Sequence, residues 1–86
     1  MKLLVIEDDA ALQELMVKAL RQQGFVAESA MDFNEAIDRL GAYSYDCALI
    51  DINLPGGSGL DILEHIRKSS IRMDVIIISA RDSIDA

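Results

Sequence analysis

The sequence predicts an α/β domain built around a doubly wound parallel β-sheet. Four short apolar runs, typical of buried strands, alternate along the chain with three segments that have the spacing of amphipathic helices. Strands that alternate with helices need crossover connections, and crossovers give a parallel sheet with helices on both faces. Because such crossovers are right-handed, we expect the element order βαβαβαβ and the spatial strand order 2-1-3-4.

The strands are predicted from apolar and β-branched sequence. The first strand (residues 3–6) and the third (residues 47–50) are apolar throughout, which is typical of strands buried on both faces. The second predicted strand, residues 25–29, is shorter. The fourth, residues 75–78, is β-branched at every position, which favours a strand over a helix.

The helices are predicted from apolar residues that recur every three or four positions and from capping residues at their ends. Asp9 can cap the start of the first helix, and Gly24 can supply the turn after its end. Asp32 and Glu35 have the spacing of a capping box for the second helix, and the turn signal at residues 55–57 precedes the third. The apolar faces are Leu12, Leu15, Met16, Ala19 and Leu20, then Phe33, Ala36, Ile37 and Leu40, then Leu60, Leu63 and Ile66.

Length, charge and cysteine content exclude several classes of function. At 86 residues the chain is one domain at most, and its formal net charge of -7 argues against direct contact with nucleic acid or an anionic membrane. Cys47 is the single cysteine and cannot form an intramolecular disulfide, and with one histidine it makes no zinc site. The first apolar run is too short for a signal peptide and no stretch could span a bilayer, so we expect a cytoplasmic protein.

Acidic side chains follow the carboxyl ends of the first and third predicted strands. Glu7, Asp8 and Asp9 come directly after the first strand, and Asp51 follows the third. These strands should be neighbours at the point where the winding reverses, which is where doubly wound sheets carry their sites. Like charges about 4 Å apart repel by about 4 kcal/mol at an effective dielectric of 20, so the cluster must bind protons or a cation. Asp9 is better explained as a helix cap.

Oxygen ligands without nearby histidine or cysteine favour Mg²⁺ in such a cluster. Asp51 could be a plain ligand, or it could be a nucleophile that attacks a phosphoryl group and forms an aspartyl phosphate. In the second case the metal offsets the charge of the phosphoryl oxygens, and hydroxyl groups donate further hydrogen bonds. Ser79, at the end of the fourth predicted strand, is placed for such a donor.

Three motifs together resemble the receiver domain of bacterial two-component response regulators of the winged-helix transcription-factor class. They are Val-Ile-Glu-Asp-Asp at residues 5–9, Leu-Ile-Asp-Ile-Asn-Leu-Pro-Gly at residues 49–56 followed by Gly59, and Ile-Ile-Ser-Ala at residues 77–80. The resemblance covers the whole chain, with the motifs in the family's order and spacing. It implies a flavodoxin-like receiver fold and a role in two-component signal transduction that regulates transcription in the full-length protein.

The resemblance also implies roles for individual residues. Asp51 would accept a phosphoryl group from a sensor histidine kinase in a Mg²⁺-dependent reaction. Glu7 and Asp8 would bind Mg²⁺ with Asp51, and the backbone carbonyl of Asn53 would complete the protein ligands. Ser79 would be the switch hydroxyl that turns toward the phosphoryl group.

The same resemblance predicts that residues 1–86 form only the amino-terminal part of a receiver domain, without the last strand and helices and without an effector domain. The apolar fourth strand would then be an exposed sheet edge, which predicts self-association, most simply as a homodimer. The alternative function is therefore a phosphorylation-incompetent module that dimerises through this strand. Because the first helix docks the kinase in such regulators, exposed residues there, Gln13 among them, are expected kinase contacts.

An enzymatic function is not expected. A haloacid-dehalogenase-like phosphatase would also form an aspartyl phosphate, but it needs a second acid two residues after its nucleophile. Residues 51–53 read Asp-Ile-Asn and lack that acid. The sequence thus favours a phosphoacceptor over a phosphatase.

Overall fold

The computed structural model describes residues 1–54 and 57–78, which form a parallel sheet with helices on both faces. In chain order the elements are β1 (Lys2–Ile6), α1 (Ala10–Gln22), β2 (Val26–Ala30), α2 (Phe33–Ala42), β3 (Cys47–Asp51), β4 (Asn53–Leu54), β5 (Gly57–Ser58), α3 (Gly59–Lys68) and β6 (Asp74–Ile78). None of the helices in these ranges combines the length and apolar character needed to cross a membrane.

The large sheet has the strand order β2-β1-β3-β6, and each neighbouring pair is parallel. The predicted order 2-1-3-4 is confirmed, because β6 is the fourth predicted strand. The winding reverses between β1 and β3, where Ile6 pairs with Ile50. The residues that follow these two, Glu7 and Asp51, therefore leave the sheet at the same edge.

Two short strands were not predicted. β4 and β5 pair antiparallel, with Asn53 opposite Ser58 and Leu54 opposite Gly57. A two-residue strand is too short to show a periodic pattern, so no local pattern predicts it. Residues 55 and 56, the first part of the predicted turn, lie outside the described residues.

The predicted caps Asp9 and Asp32 are confirmed by their hydrogen bonds, but the predicted capping box at Asp32 is wrong, because Glu35 Oε1 accepts from the backbone N–H of Met31 at 2.7 Å instead. Asp9 and Asp32 each accept a hydrogen bond from the backbone N–H three residues further on, at 3.1 and 2.8 Å. Ser58 and Asp61 form a reciprocal capping box at the start of α3, at 3.2 and 3.0 Å. Gly24 has a φ of +92°, so the chain leaves α1 through a conformation that favours glycine.

The two faces of the sheet differ in how well they are packed. The main hydrophobic core lies under α2 and α3, where Ala36, Leu40, Ile62 and Ile66 are buried against β1 and β3. The opposite face is covered by α1, and none of the residues of α1 is buried by the part of the chain that the structure describes. The amphipathic pattern placed α1 correctly: Leu12, Met16 and Leu20 are half-buried, whereas Leu15 of the same apolar face is 64% exposed.

Candidate functional site

Three acidic side chains meet beyond the carboxyl ends of β1 and β3. Glu7 follows β1, Asp8 is its neighbour, and Asp51 is the last residue of β3. One carboxylate oxygen of each lies within 4.8 Å of the other two. Glu7 and Asp51 are only 1% and 2% exposed, and Asp8 is half-buried. The structure thus brings together the three acids that the strand order predicted to converge; their roles as ligands and phosphoacceptor stay predictions.

Glu7 is in an unusual electrostatic environment for a carboxyl group. Its Oε2 accepts a hydrogen bond from the backbone N–H of Asp9 at 3.2 Å, whereas its buried Oε1 has no hydrogen-bond partner among the described residues. Burial raises the pKa of Glu7 from its ordinary 4.5 to about 7. The Asp9 N–H opposes this rise in pKa, and the neighbouring Asp51 and Asp8 carboxyls add to it.

This donor set fits a small, hard divalent cation. The cluster offers carboxylate oxygens only, which are the ligands that Mg²⁺ prefers over imidazole or thiolate. A buried acceptor without a partner costs about 1–3 kcal/mol, and a cation beside Glu7 Oε1 would remove that cost. The same positive charge would offset the mutual repulsion of the three carboxylates.

The backbone at Asp51 is fixed by a close approach of α3. Asp51 Oδ1 accepts a hydrogen bond from the N–H of Asn53 at 3.1 Å, and the N–H of Gly59 donates to the carbonyl of Ile52 at 2.9 Å. A Cβ on Gly59 would collide with the backbone oxygen of Asp51 and lie 2.9 Å from Cγ2 of Ile50. This close approach is the physical reason for the glycine at position 59 of the sequence motif.

The two remaining predicted site residues are Asn53 and Ser79. Asn53 is exposed and uses its N–H on Asp51, while the predicted role of its carbonyl as a metal ligand stays a prediction. Ser79 lies outside the described residues, so its role as the switch hydroxyl also stays a prediction. The last described residue, Ile78, pairs with Asp51, and its carbonyl accepts a hydrogen bond from the N–H of Ile52 at 3.0 Å.

Gln13 is a residue at this site whose contacts the sequence did not reveal. Expected as an exposed kinase contact, it is instead half-buried. Its Nε2 donates to the backbone carbonyls of Glu7 and Ala30, at 3.0 and 3.1 Å. The expectation that Gln13 is exposed is therefore wrong, and its role as a kinase contact stays a prediction. In the sequence, the only sign of these contacts is that Gln13 is a polar residue one turn into the helix that follows the acidic turn. Because polar residues at such positions are usually solvated, the contacts were not predicted.

The doubly wound sheet, with a carboxylate cluster at the point where its winding reverses, points to a receiver domain. The chain belongs to the response regulator receiver domain family, whose family model matches residues 3–86. It is 41% identical over 81 residues to the two-component response regulator PhoP of Pseudomonas aeruginosa, a match that covers 94% of this chain and 36% of PhoP. Other curated relatives, between 34% and 38% identical, are named transcriptional regulators. The chain spans about a third of the length of the curated relatives it matches.

Solved structures confirm the flavodoxin-like receiver fold. The receiver domain of the Francisella response regulator 1452 is 32% identical and superposes with a TM-score of 0.88, covering 98% of this chain and 69% of that one. A complex of the histidine kinase ThkA with the response regulator TrrA matches at 28% identity and a TM-score of 0.86, covering 99% of this chain and 73% of that one. The predicted resemblance to receiver domains is therefore confirmed.

Proposed function

We propose that this chain is the phosphoacceptor part of a two-component signalling protein, in which Asp51 accepts a phosphoryl group from a sensor histidine kinase. The observation that carries the proposal is the convergence of three carboxylates, two of them buried, at the reversal point of a receiver-family sheet. The structure of TrrA bound to the kinase ThkA supports a histidine kinase as the partner. In this role the domain receives a phosphoryl group and is not an enzyme for a small-molecule substrate.

Glu7, Asp8 and Asp51 would hold Mg²⁺ through carboxylate oxygens, with the backbone carbonyl of Asn53 as a further ligand. The buried Oε1 of Glu7 supports this assignment, because it is an acceptor that the described residues leave without a partner. When bound, the cation supplies positive charge that offsets the charge of the phosphoryl oxygens. Glu7 must be ionised to serve as a ligand, so its raised pKa makes cation binding weaken as the pH falls below about 7.

Transfer would form a bond between a carboxylate oxygen of Asp51 and phosphorus while the bond from phosphorus to the kinase histidine nitrogen breaks. The electron pair of the broken bond stays on the imidazole nitrogen. The Asn53 N–H, 3.1 Å from Asp51 Oδ1, orients the attacking carboxylate. Ser79 follows Ile78 in the sequence, and because Ile78 pairs with Asp51, the Ser79 hydroxyl would donate to the transferred group.

Incubation with a small phosphodonor such as acetyl phosphate and Mg²⁺ tests this function. We expect a hydroxylamine-labile phosphate on the chain that disappears in Asp51→Asn. Asp9→Asn is the matched control, because it removes an acid from the same turn but outside the cluster and should retain the phosphate. Mg²⁺ binding without any Asp51-dependent phosphate would contradict the phosphoacceptor role and favour the association module described next.

The second candidate function, a homodimer formed through β6, is supported by the exposure of this strand. Within residues 1–54 and 57–78, β6 has a strand partner on one side only, and Ile76 and Ile77 are 51% and 37% exposed. An unpaired apolar edge favours pairing with another strand. A second copy related by a two-fold axis would supply one, with the two β6 strands antiparallel.

Light scattering coupled to size-exclusion chromatography tests the dimer. We expect a dimer at micromolar concentration that Ile76→Lys converts to a monomer. Leu60→Lys is the matched control, because Leu60 is 52% exposed but lies on α3, and this variant should remain dimeric. A folded wild-type monomer at the same concentration would rule the dimer out.

The proposal also includes the cellular location of the domain and the process that the full-length protein regulates. We place the domain in the cytoplasm and expect transcription to be regulated by the full-length protein, as the names of its relatives support. The net charge of -7 supports a role in which this segment itself makes no direct contact with DNA.

A further inference from the structure

The amide of Gln13 joins the ends of two strands to the first turn of α1. Its Nε2 donates to the carbonyl of Glu7 at the end of β1 and to that of Ala30 at the end of β2, at 3.0 and 3.1 Å. An amide NH₂ group has two protons, so both are used. Because both partners are carbonyl oxygens, only the NH₂ end of the side chain can face them. The backbone N–H of Gln13 also donates to the backbone carbonyl of Asp9 at 2.8 Å.

These bonds fix Glu7 at both of its backbone polar groups. The N–H of Glu7 donates to the carbonyl of Ala30 at 3.0 Å, and its own carbonyl accepts from Gln13. Its carboxylate is held in turn by the backbone N–H of Asp9. Without the Gln13 amide, the Glu7 carbonyl would lose its described partner, and the repulsion between the acids would be free to open the turn.

We propose that Gln13 is a positioning residue that holds the Glu7–Asp8 turn in the geometry needed for cation binding. The inference rests on the metal site put forward under the proposed function. With this role, the first turn of α1 belongs to the metal site. Contacts with the kinase would then be made by exposed side chains. Partners of this kind, which orient a metal ligand without touching the metal, typically affect affinity about 10–100-fold when they are removed.

The variant Gln13→Met tests the role, since methionine has a similar length and helix propensity but no N–H to donate. We expect isothermal titration to show about 10–100-fold weaker Mg²⁺ binding. Gln22→Met makes the same change at the exposed far end of α1 and should leave the affinity unchanged. Gln13→Arg, which restores N–H donors, should recover most of the affinity.

Amide hydrogen exchange without added metal separates positioning from a general loss of stability. Positioning predicts faster exchange in Gln13→Met at the N–H groups of Glu7 and Asp9, with exchange in β1 and β3 unchanged. Uniformly faster exchange across both strands would instead assign Gln13 a purely structural role and overturn the inference.

The Mg²⁺ titrations distinguish failure of this inference from failure of the proposed function. Equal affinity in Gln13→Met and the wild type would overturn the role of Gln13 while leaving the metal site in place. If the wild-type chain binds no Mg²⁺, or binds it equally well after Asp51→Asn, the proposed function fails and the role of Gln13 fails with it.

Discussion

Strands β3 and β6 lie side by side and have similar apolar sequences, yet their surroundings differ. β3 is an inner strand: Cys47, Ala48 and Ile50 are buried, and the strand ends at the acidic cluster. β6 is an edge strand of the described sheet, and Ile76 and Ile77 are substantially exposed. A run of apolar residues thus determines the strand, while the place of the strand in the sheet determines whether those residues are buried.

The largest expected difference between the two strands is in core packing. Ile50 and Ile77 are direct neighbours in the β3–β6 register, but Ile50 is buried and Ile77 is partly exposed. We expect Ile50→Ala to lower the free energy of unfolding by about 2–5 kcal/mol, because it leaves a cavity in the core. Ile77→Ala should lower it by about 1 kcal/mol. Urea unfolding measures both, and equal losses would mean that Ile77 is as well buried in solution as Ile50.

The acidic cluster beyond the ends of β1 and β3 should make the free energy of unfolding depend on pH, through Glu7. The folded pKa of Glu7, about 7, lies above its ordinary 4.5, so the folded state binds the proton more tightly than the unfolded state. Stability is therefore expected to fall as the pH rises from about 4.5 to about 7, by up to about 3 kcal/mol. Glu7→Gln should flatten this dependence, and saturating Mg²⁺ should restore stability above pH 7.

Urea unfolding at several pH values tests this titration. A wild-type stability that rises with pH between about 5 and 7 would show that Glu7 keeps an ordinary or lowered pKa. The same measurement on Glu7→Gln is the control, because its amide does not titrate.

A smaller effect on the free energy of unfolding is expected at Gly59, where α3 contacts β3, and Gly41 is the control position. Gly59→Ala should destabilise the fold by about 1–3 kcal/mol and displace Asp51, because the added Cβ meets the Asp51 backbone oxygen. Gly41→Ala, in α2, has nothing within 4 Å of the added Cβ among the described residues. It should stabilise the helix by about 0.5–1 kcal/mol.

Unfolding and Mg²⁺ titration together measure the effect at Gly59. We expect Gly59→Ala to weaken Mg²⁺ binding as well as stability, whereas Gly41→Ala leaves Mg²⁺ binding unchanged. A Gly59→Ala protein with wild-type stability and Mg²⁺ affinity would mean that α3 can shift without moving the acidic cluster.

The sequence predicted those parts of the molecule that depend on chain order and periodicity. Alternating strands and helices were enough for the order 2-1-3-4, and that order was enough to bring Glu7, Asp8 and Asp51 together. The pattern also placed the capping residues Asp9 and Asp32 correctly.

Features that depend on a specific side-chain contact were not predictable. Periodicity shows which residues of α1 share a face, but not what packs on that face, so the exposure of Leu15 was missed. The inward orientation of Gln13 depends on where two backbone carbonyls lie after folding, which no local pattern records. The collision that requires glycine at position 59 depends likewise on the distance between α3 and β3.

Mg²⁺ titration of isosteric variants decides whether Glu7, Asp8 and Asp51 share one divalent cation. We expect a single Mg²⁺ site in the wild type that is lost or severely weakened in both Glu7→Gln and Asp51→Asn. Asp38→Asn, an exposed acid on α2, should bind as the wild type does. Wild-type affinity in Glu7→Gln and Asp51→Asn would show that these carboxylates do not hold a shared cation.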